Sequence, residues 1–150
     1  MEKPLGYILG QIKRVYSNKL MARFKENNVE LSLDLYIILF HIEINEEITQ
    51  QLLADYLQKD KSFIMRQINS LTDKKYVVRT WNRQDKRKKN LVLTKSGYEK
   101  LSVMKTLARN VSDELLSGVN DEDQRAFQRV IDIILRNGAS DREIFKKEND

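Results

Sequence analysis

The chain has 150 residues, 41% hydrophobic and 33% charged, which is one ordinary domain's worth of sequence with enough apolar content to bury a core unaided. It has no cysteine, which excludes disulfides, thiolate zinc sites and redox thiols, and its single histidine, His41, argues against a histidine metal site or a serine–histidine triad. Net charge is +5, a mild bias toward anionic partners, and 5 glycines with 1 proline favour long helices over a many-stranded sheet.

The first residues, Met-Glu-Lys-Pro, lack the apolar stretch of a signal peptide, and the longest apolar run, Leu35 to Phe40, is far short of the ~18 residues of a membrane span. The cytoplasm is therefore the default location. From Leu5 to Phe24, apolar residues recur mostly at steps of one, three and four, the spacing of a helix with one buried stripe. Ser32 is a candidate N-cap, with Asp34 in the first turn, for a second helix that is apolar on nearly every side and should be central. Thr49 reads as the N-cap of a third helix to about Leu57, with Ile48 and Leu53 at hydrophobic-staple spacing. After the turn Gln58-Lys59-Asp60, Asp60 can cap a fourth helix from Lys61 to about Lys74, whose Ile64, Ile68 and Leu71 face inward. Two short helices so tightly joined predict a helix-turn-helix.

The period then changes. Tyr76 to Trp81 and Asn90 to Thr94 are β-branched and aromatic around a polar, basic stretch, which predicts a β-hairpin with a charged tip. Thr94 can cap a long helix in which Leu101, Met104, Ala108, Val111 and Leu115 have the spacing of a seam against another helix. A last helix opens on Asn120-Asp121-Glu122-Asp123, continues through Phe127, Val130, Ile131 and Ile134, and is expected to end at Gly138. The twelve residues after it should fray, although Ser140 to Glu143 has capping-box spacing.

Charge is unevenly spread along this order. Residues 1–44 carry +1 and residues 96–150 carry −2, whereas residues 45–95 hold 12 bases against 6 acids, or +6. That middle segment contains both the helix pair and the hairpin. With Ile64, Ile68 and Leu71 inward, Ser62, Arg66, Asn69 and Asp73 point outward and Met65 lies on the flank. An arginine, a hydroxyl and a small carboxamide are residue types that read base edges, although any soluble helix has a polar face. The hairpin tip, Arg83-Gln84-Asp85-Lys86-Arg87-Lys88-Lys89, gathers five bases around one acid, a pattern suited to an electronegative minor groove. Asp85, two residues before Arg87, can orient that guanidinium or hold the turn.

These residues resemble the MarR family of transcriptional regulators. Ile48-Thr49-Gln50-Gln51-Leu52-Leu53-Ala54 is similar to the family's first motif helix, and Asp60-Lys61-Ser62 with Arg66 and Leu71 to its recognition helix. Asp85-Lys86-Arg87 fits the family's Asp-x-Arg wing signature, followed by Leu91-Val92-Leu93-Thr94-Lys95-Ser96-Gly97, similar to its Leu-Thr-x-x-Gly opening of the next helix. The resemblance implies a mainly α, winged helix-turn-helix domain over residues 1–150, with a two-stranded wing, a DNA-binding lobe at 31–97 and dimerisation helices at 1–30 and 98–150. It further implies a homodimer that binds a pseudo-palindromic operator in double-stranded DNA, usually as a repressor. Lys61, Ser62, Met65, Arg66 and Asn69 would face the major groove, and Arg83, Asp85, Lys86, Arg87 and Lys88 would form the wing contact. One departure is Lys75, where the family commonly has glycine.

Many members of the family are released from DNA by small aromatic or phenolic acids. Tyr7, Tyr16, Tyr36, Phe40 and His41 are available here, but aromatic residues at helical spacing are more often core, so no ligand residue is assigned. No cofactor, metal set, nucleophile elbow or phosphate loop is legible, so an enzyme is not expected. The competing reading is a winged-helix protein-interaction or scaffold module whose basic tip faces an acidic protein.

Overall fold

A computed structural model describes the backbone of residues 2–147 and the side chains of residues 2–139. The described chain runs α1 (Leu5–Glu26), α2 (Leu33–Ile44), α3 (Gln50–Leu57), α4 (Lys61–Asp73), β1 (Val77–Trp81), β2 (Lys89–Leu93), α5 (Lys95–Leu115) and α6 (Asp121–Lys147). It divides into two compact units, Met1–Leu115 and Leu116–Asp150.

In the first unit the core is built around α2, as its all-round apolarity predicts. Leu35, Ile38, Leu39 and Ile42 are buried there, with Leu20 and Phe24 of α1, Leu53 and Ala54 of α3, and Ile64, Ile68 and Leu71 of α4. Thr49 and Ser32 cap as expected, their hydroxyls accepting from Leu52 N and Leu35 N, each at 3.2 Å. Ile48 and Leu53 are both buried, consistent with the staple. Asp60 departs from expectation: it stands at the N-cap of α4, but its side chain makes no capping hydrogen bond.

The seam on α5 lies against its own chain. Leu101, Met104, Ala108 and Val111 are buried where α5 packs on α1 and α2, so these four close the core of the first unit, whereas Leu115, the last residue of the expected seam, is exposed. Lys19 and Arg23 of α1 both bond Glu114 of α5, and Lys105 bonds Glu43 of α2 at 2.8 Å, tying the same three helices at their polar edges. The stripe on α1 is buried only at its C-terminal end. Leu5, Leu9, Ile12 and Val15 are exposed, and nothing lies within 4 Å of a Cβ placed on Gly6 or Gly10.

The hairpin pairs β1 and β2 antiparallel with Val77 opposite Leu93, Arg79 opposite Leu91 and Trp81 opposite Lys89. A feature absent from the sequence reading anchors it: Leu91 N donates to Ile48 O at 2.8 Å and Thr49 bridges Asn90, so the residues leading into α3 add a short third pairing to β2. This fixes the wing against the start of the helix pair.

In the second unit, Asn120 caps α6 by accepting from Asp123 N at 2.8 Å, and the three acids occupy the first turn. Gly138 does not end the helix, which continues to Lys147. A glycine inside a helix costs only about 1 kcal/mol relative to alanine, and the positive φ of a glycine stop is absent here. The capping-box reading of Ser140 to Glu143 concerns side chains outside the described residues. Phe127, Val130 and Ile134, at helical spacing on α6, are exposed.

Candidate nucleic-acid interface

The helix pair is set by two tight reversals. Gln58 is left-handed (φ 50°), and Lys59 N returns to Ala54 O at 3.1 Å, closing α3 in a Schellman motif before α4 begins. Lys75 is left-handed as well (φ 61°), with Lys75 N bonded to Thr72 O and Tyr76 N to Leu71 O, the same motif at the end of α4. Lysine therefore takes the conformation that a glycine would take at this junction. Lys75 O then accepts from the hydroxyls of Thr94 (2.6 Å) and Ser96 (3.0 Å), and Thr94 also caps α5 by accepting from Gly97 N. Gly97 has no substitute here, because a Cβ would stand 2.1 Å from Tyr76 O.

On α4, the amphipathic sorting holds. Ile64, Ile68 and Leu71 are buried, and Lys61, Ser62, Met65, Arg66, Asn69 and Asp73 are exposed. Lys61, Ser62, Met65 and Arg66 offer their side chains outward without a hydrogen-bond or ion-pair partner among the described residues, whereas Asn69 is engaged: its Oδ1 accepts from Arg79 Nη2 at 2.9 Å. The same guanidinium reaches Gln50 Oε1, at the start of α3, at 3.4 Å.

The wing loop is folded on its polar side chains. Asn82 Oδ1 accepts from Gln84 N and Asp85 N, and Asn82 Nδ2 donates to the buried Asn90 at 2.9 Å. Asp85 Oδ1 accepts from Arg87 N at 3.0 Å and from Arg87 Nε at 3.2 Å, so it performs both expected tasks, holding the turn and orienting the guanidinium. These bonds, the backbone one first, hold the Asp85 carboxyl below its usual range. Arg87 is nearly fully exposed, and Arg83, Lys86 and Lys88 are exposed beside it. Trp81 is 67% exposed, with Lys89 Nζ 4.8 Å from its ring centre.

Between the wing and the start of α3 lies an open cleft of about 410 Å³, lined among others by Gln50, Arg79, Arg87, Lys88 and Lys89. Recognition-helix and wing residues predicted from the sequence thus sit on one lobe, joined by a residue that the sequence reading passed over. Arg79 had a readable signal. That signal is only its strand position: it alternates onto the same face as Val77, while its partners come from α4 and the start of α3, which spacing along the chain does not show. Among the described residues no group of three or more His, Cys, Asp or Glu side chains could hold a metal ion, and no helix is long and apolar enough to cross a membrane.

Residues 33–88, which include the helix pair and most of the wing, match the model of the MarR family. The chain is 24% identical over 141 residues to YybA of Bacillus subtilis (strain 168), an uncharacterized HTH-type transcriptional regulator, covering 94% of this chain and 93% of YybA. Its fold is similar to that of apo MarR from E. coli (TM-score 0.77, 20% identity, 90% of this chain and 99% of the other). It is similar also to S. aureus MepR, solved as a DNA complex (TM-score 0.76, 20% identity, 91% and 99%). The MarR-family resemblance read from the motifs is borne out by these matches, and so is the winged-helix fold.

Proposed function

From a chain that carries the MarR-family segment in a winged-helix fold, we propose a sequence-specific DNA-binding transcriptional regulator that acts as a homodimer on a pseudo-palindromic operator, most simply as a repressor. The observation that carries this reading is the joint exposure, on one lobe, of Lys61, Ser62, Met65 and Arg66 along α4 and of Arg83, Lys86, Arg87 and Lys88 on the wing. The helix supplies side chains that bond base edges, and the wing supplies cations for phosphates and a narrow groove. Asp85 serves the wing by aligning Arg87. MepR, similar in fold, has been solved bound to DNA.

The dimer reading rests on exposed apolar faces. Leu5, Leu9, Ile12 and Val15 on α1, and Phe127, Val130 and Ile134 on α6, are each a face that a second copy would cover. The lobe is then residues 31–97, and 1–30 and 98–150 supply pairing helices, with α5 contributing through surface other than its buried seam. Two-fold symmetry sets the half-sites roughly 34 Å apart. Release by a small aromatic acid belongs to the same reading, without assigned ligand residues.

Selection of bound sequences from a random duplex library tests the proposal. A two-fold symmetric consensus bound with a steep salt dependence is the expected result. Absence of duplex binding at low salt, together with capture of a protein partner, would establish the scaffold reading in its place.

A further inference from the structure

We propose that Arg79 sets the base preference of the lobe by fixing which atoms of the Asn69 carboxamide face the DNA. This inference rests on the DNA-binding reading above.

A free asparagine offers an acceptor and a donor together, the pair that bonds adenine N6 and N7 in the major groove. Asn69 is not free. Its Oδ1 takes a hydrogen bond from Arg79 Nη2 at 2.9 Å, and the same Nη2 also reaches Gln50 Oε1 at 3.4 Å. The orientation of the amide does not depend on telling its oxygen from its nitrogen, because a guanidinium has only donors and the atom facing it has to be the oxygen. The oxygen is thereby turned toward the wing, and the Nδ2 hydrogens remain for a partner beyond the helix. Two donors side by side match edges that offer acceptors, above all guanine O6 and N7, and also thymine O4. They match adenine poorly, since its N6 is a donor. Arg79 is well placed to hold this state: it lies opposite Leu91 in a register pinned by Leu91 N to Ile48 O, so its backbone is fixed to the start of α3. It is a positioning residue, acting through Asn69.

Base selection with the wild type, Arg79→Met and Arg79→Lys proteins tests this, with Asn69→Ala locating the base pair that Asn69 reads. At that position the wild type should favour guanine or thymine over adenine by at least about fivefold. Arg79→Met, which keeps length but has no donor, should lose that preference or transfer it to adenine. Arg79→Lys, still only a donor, should restore most of it. Circular dichroism on each variant establishes that it is folded, and the lysine protein carries the test if the methionine protein is not: adenine preferred by the wild type or by a folded Arg79→Lys overturns the proposal. Unchanged preference in folded Arg79→Met, with only a uniform drop in affinity from the lost charge, overturns it too. Wild-type protein that binds no duplex at all would instead overturn the DNA-binding reading.

Discussion

At the scale of single residues, the wing shows how a short loop turns a basic run into one aimed cation. Asp85 accepts from both the backbone and the side chain of Arg87, which leaves the remaining guanidinium nitrogens pointing outward from an exposed position. Arg87→Ala is expected to weaken binding to all duplexes and to reduce the salt slope by about 1, read by titration at several salt concentrations. Arg66→Ala should in addition relax base preference, by about 1–3 kcal/mol at one position. The pH dependence follows from the direction of the Asp85 shift. Its folded-state value lies below the ordinary 3.8, so the support it gives the turn is present above that value and is lost only as pH falls through the depressed one. Duplex affinity should therefore show no step from Asp85 anywhere in the neutral range. Trp81, the single tryptophan, stands exposed next to this loop, so its emission is expected to change when duplex binds the wing.

At the scale of elements, three helix ends share one economy. Asn28, Gln58 and Lys75 all take the left-handed conformation, at the ends of α1, α3 and α4, where glycine is the residue with least strain. Lys75→Gly is expected to raise stability by up to about 1 kcal/mol, or roughly 2–4 °C by calorimetry, while removing one cation from the basic segment 45–95. Gly97→Ala should do the opposite. Its Cβ would meet Tyr76 O at 2.1 Å, so α5 has to move off the end of α4, at a cost of about 2 kcal/mol or more in urea unfolding. Caps and stripes were legible because they depend on neighbours within one turn, as at Ser32, Thr49 and Thr94. Asp60 was misread as a capping side chain, and Gly138 as a stop. In both cases the residue type permits the role without compelling it: the Asp60 side chain makes no capping bond, and α6 runs on past Gly138.

At the scale of the whole molecule, the proposed dimer has a sharp test in α1. Leu9 and Ile12 are exposed on a helix whose other end is buried by Leu20 and Phe24, so Ile12→Glu should leave the fold of the first unit intact. Analytical ultracentrifugation should show a dimer for the wild type and a shift toward monomer for Ile12→Glu at micromolar concentration, with a matching loss of operator affinity. A wild-type monomer would end the dimer reading. Most of the α5 seam, by contrast, is covered within one chain: α1 and α2 bury Leu101, Met104, Ala108 and Val111, and only Leu115 of that stripe is exposed. Its heptad-like spacing specified a helix partner but could not say whose helix that was.

The sequence by itself determined the order and nature of the elements, the inward face of α4, and the concentration of charge in residues 45–95, since periodicity and composition are local properties of the chain. Tertiary structure decided what depends on residues far apart in sequence. It placed the segment before α3 beside β2, gave the α5 seam to α1 and α2, and carried Arg79 from the wing to Asn69 on α4. A hydrogen bond between residues 69 and 79 needs a strand to turn back onto a helix, and no spacing rule along the chain encodes that return.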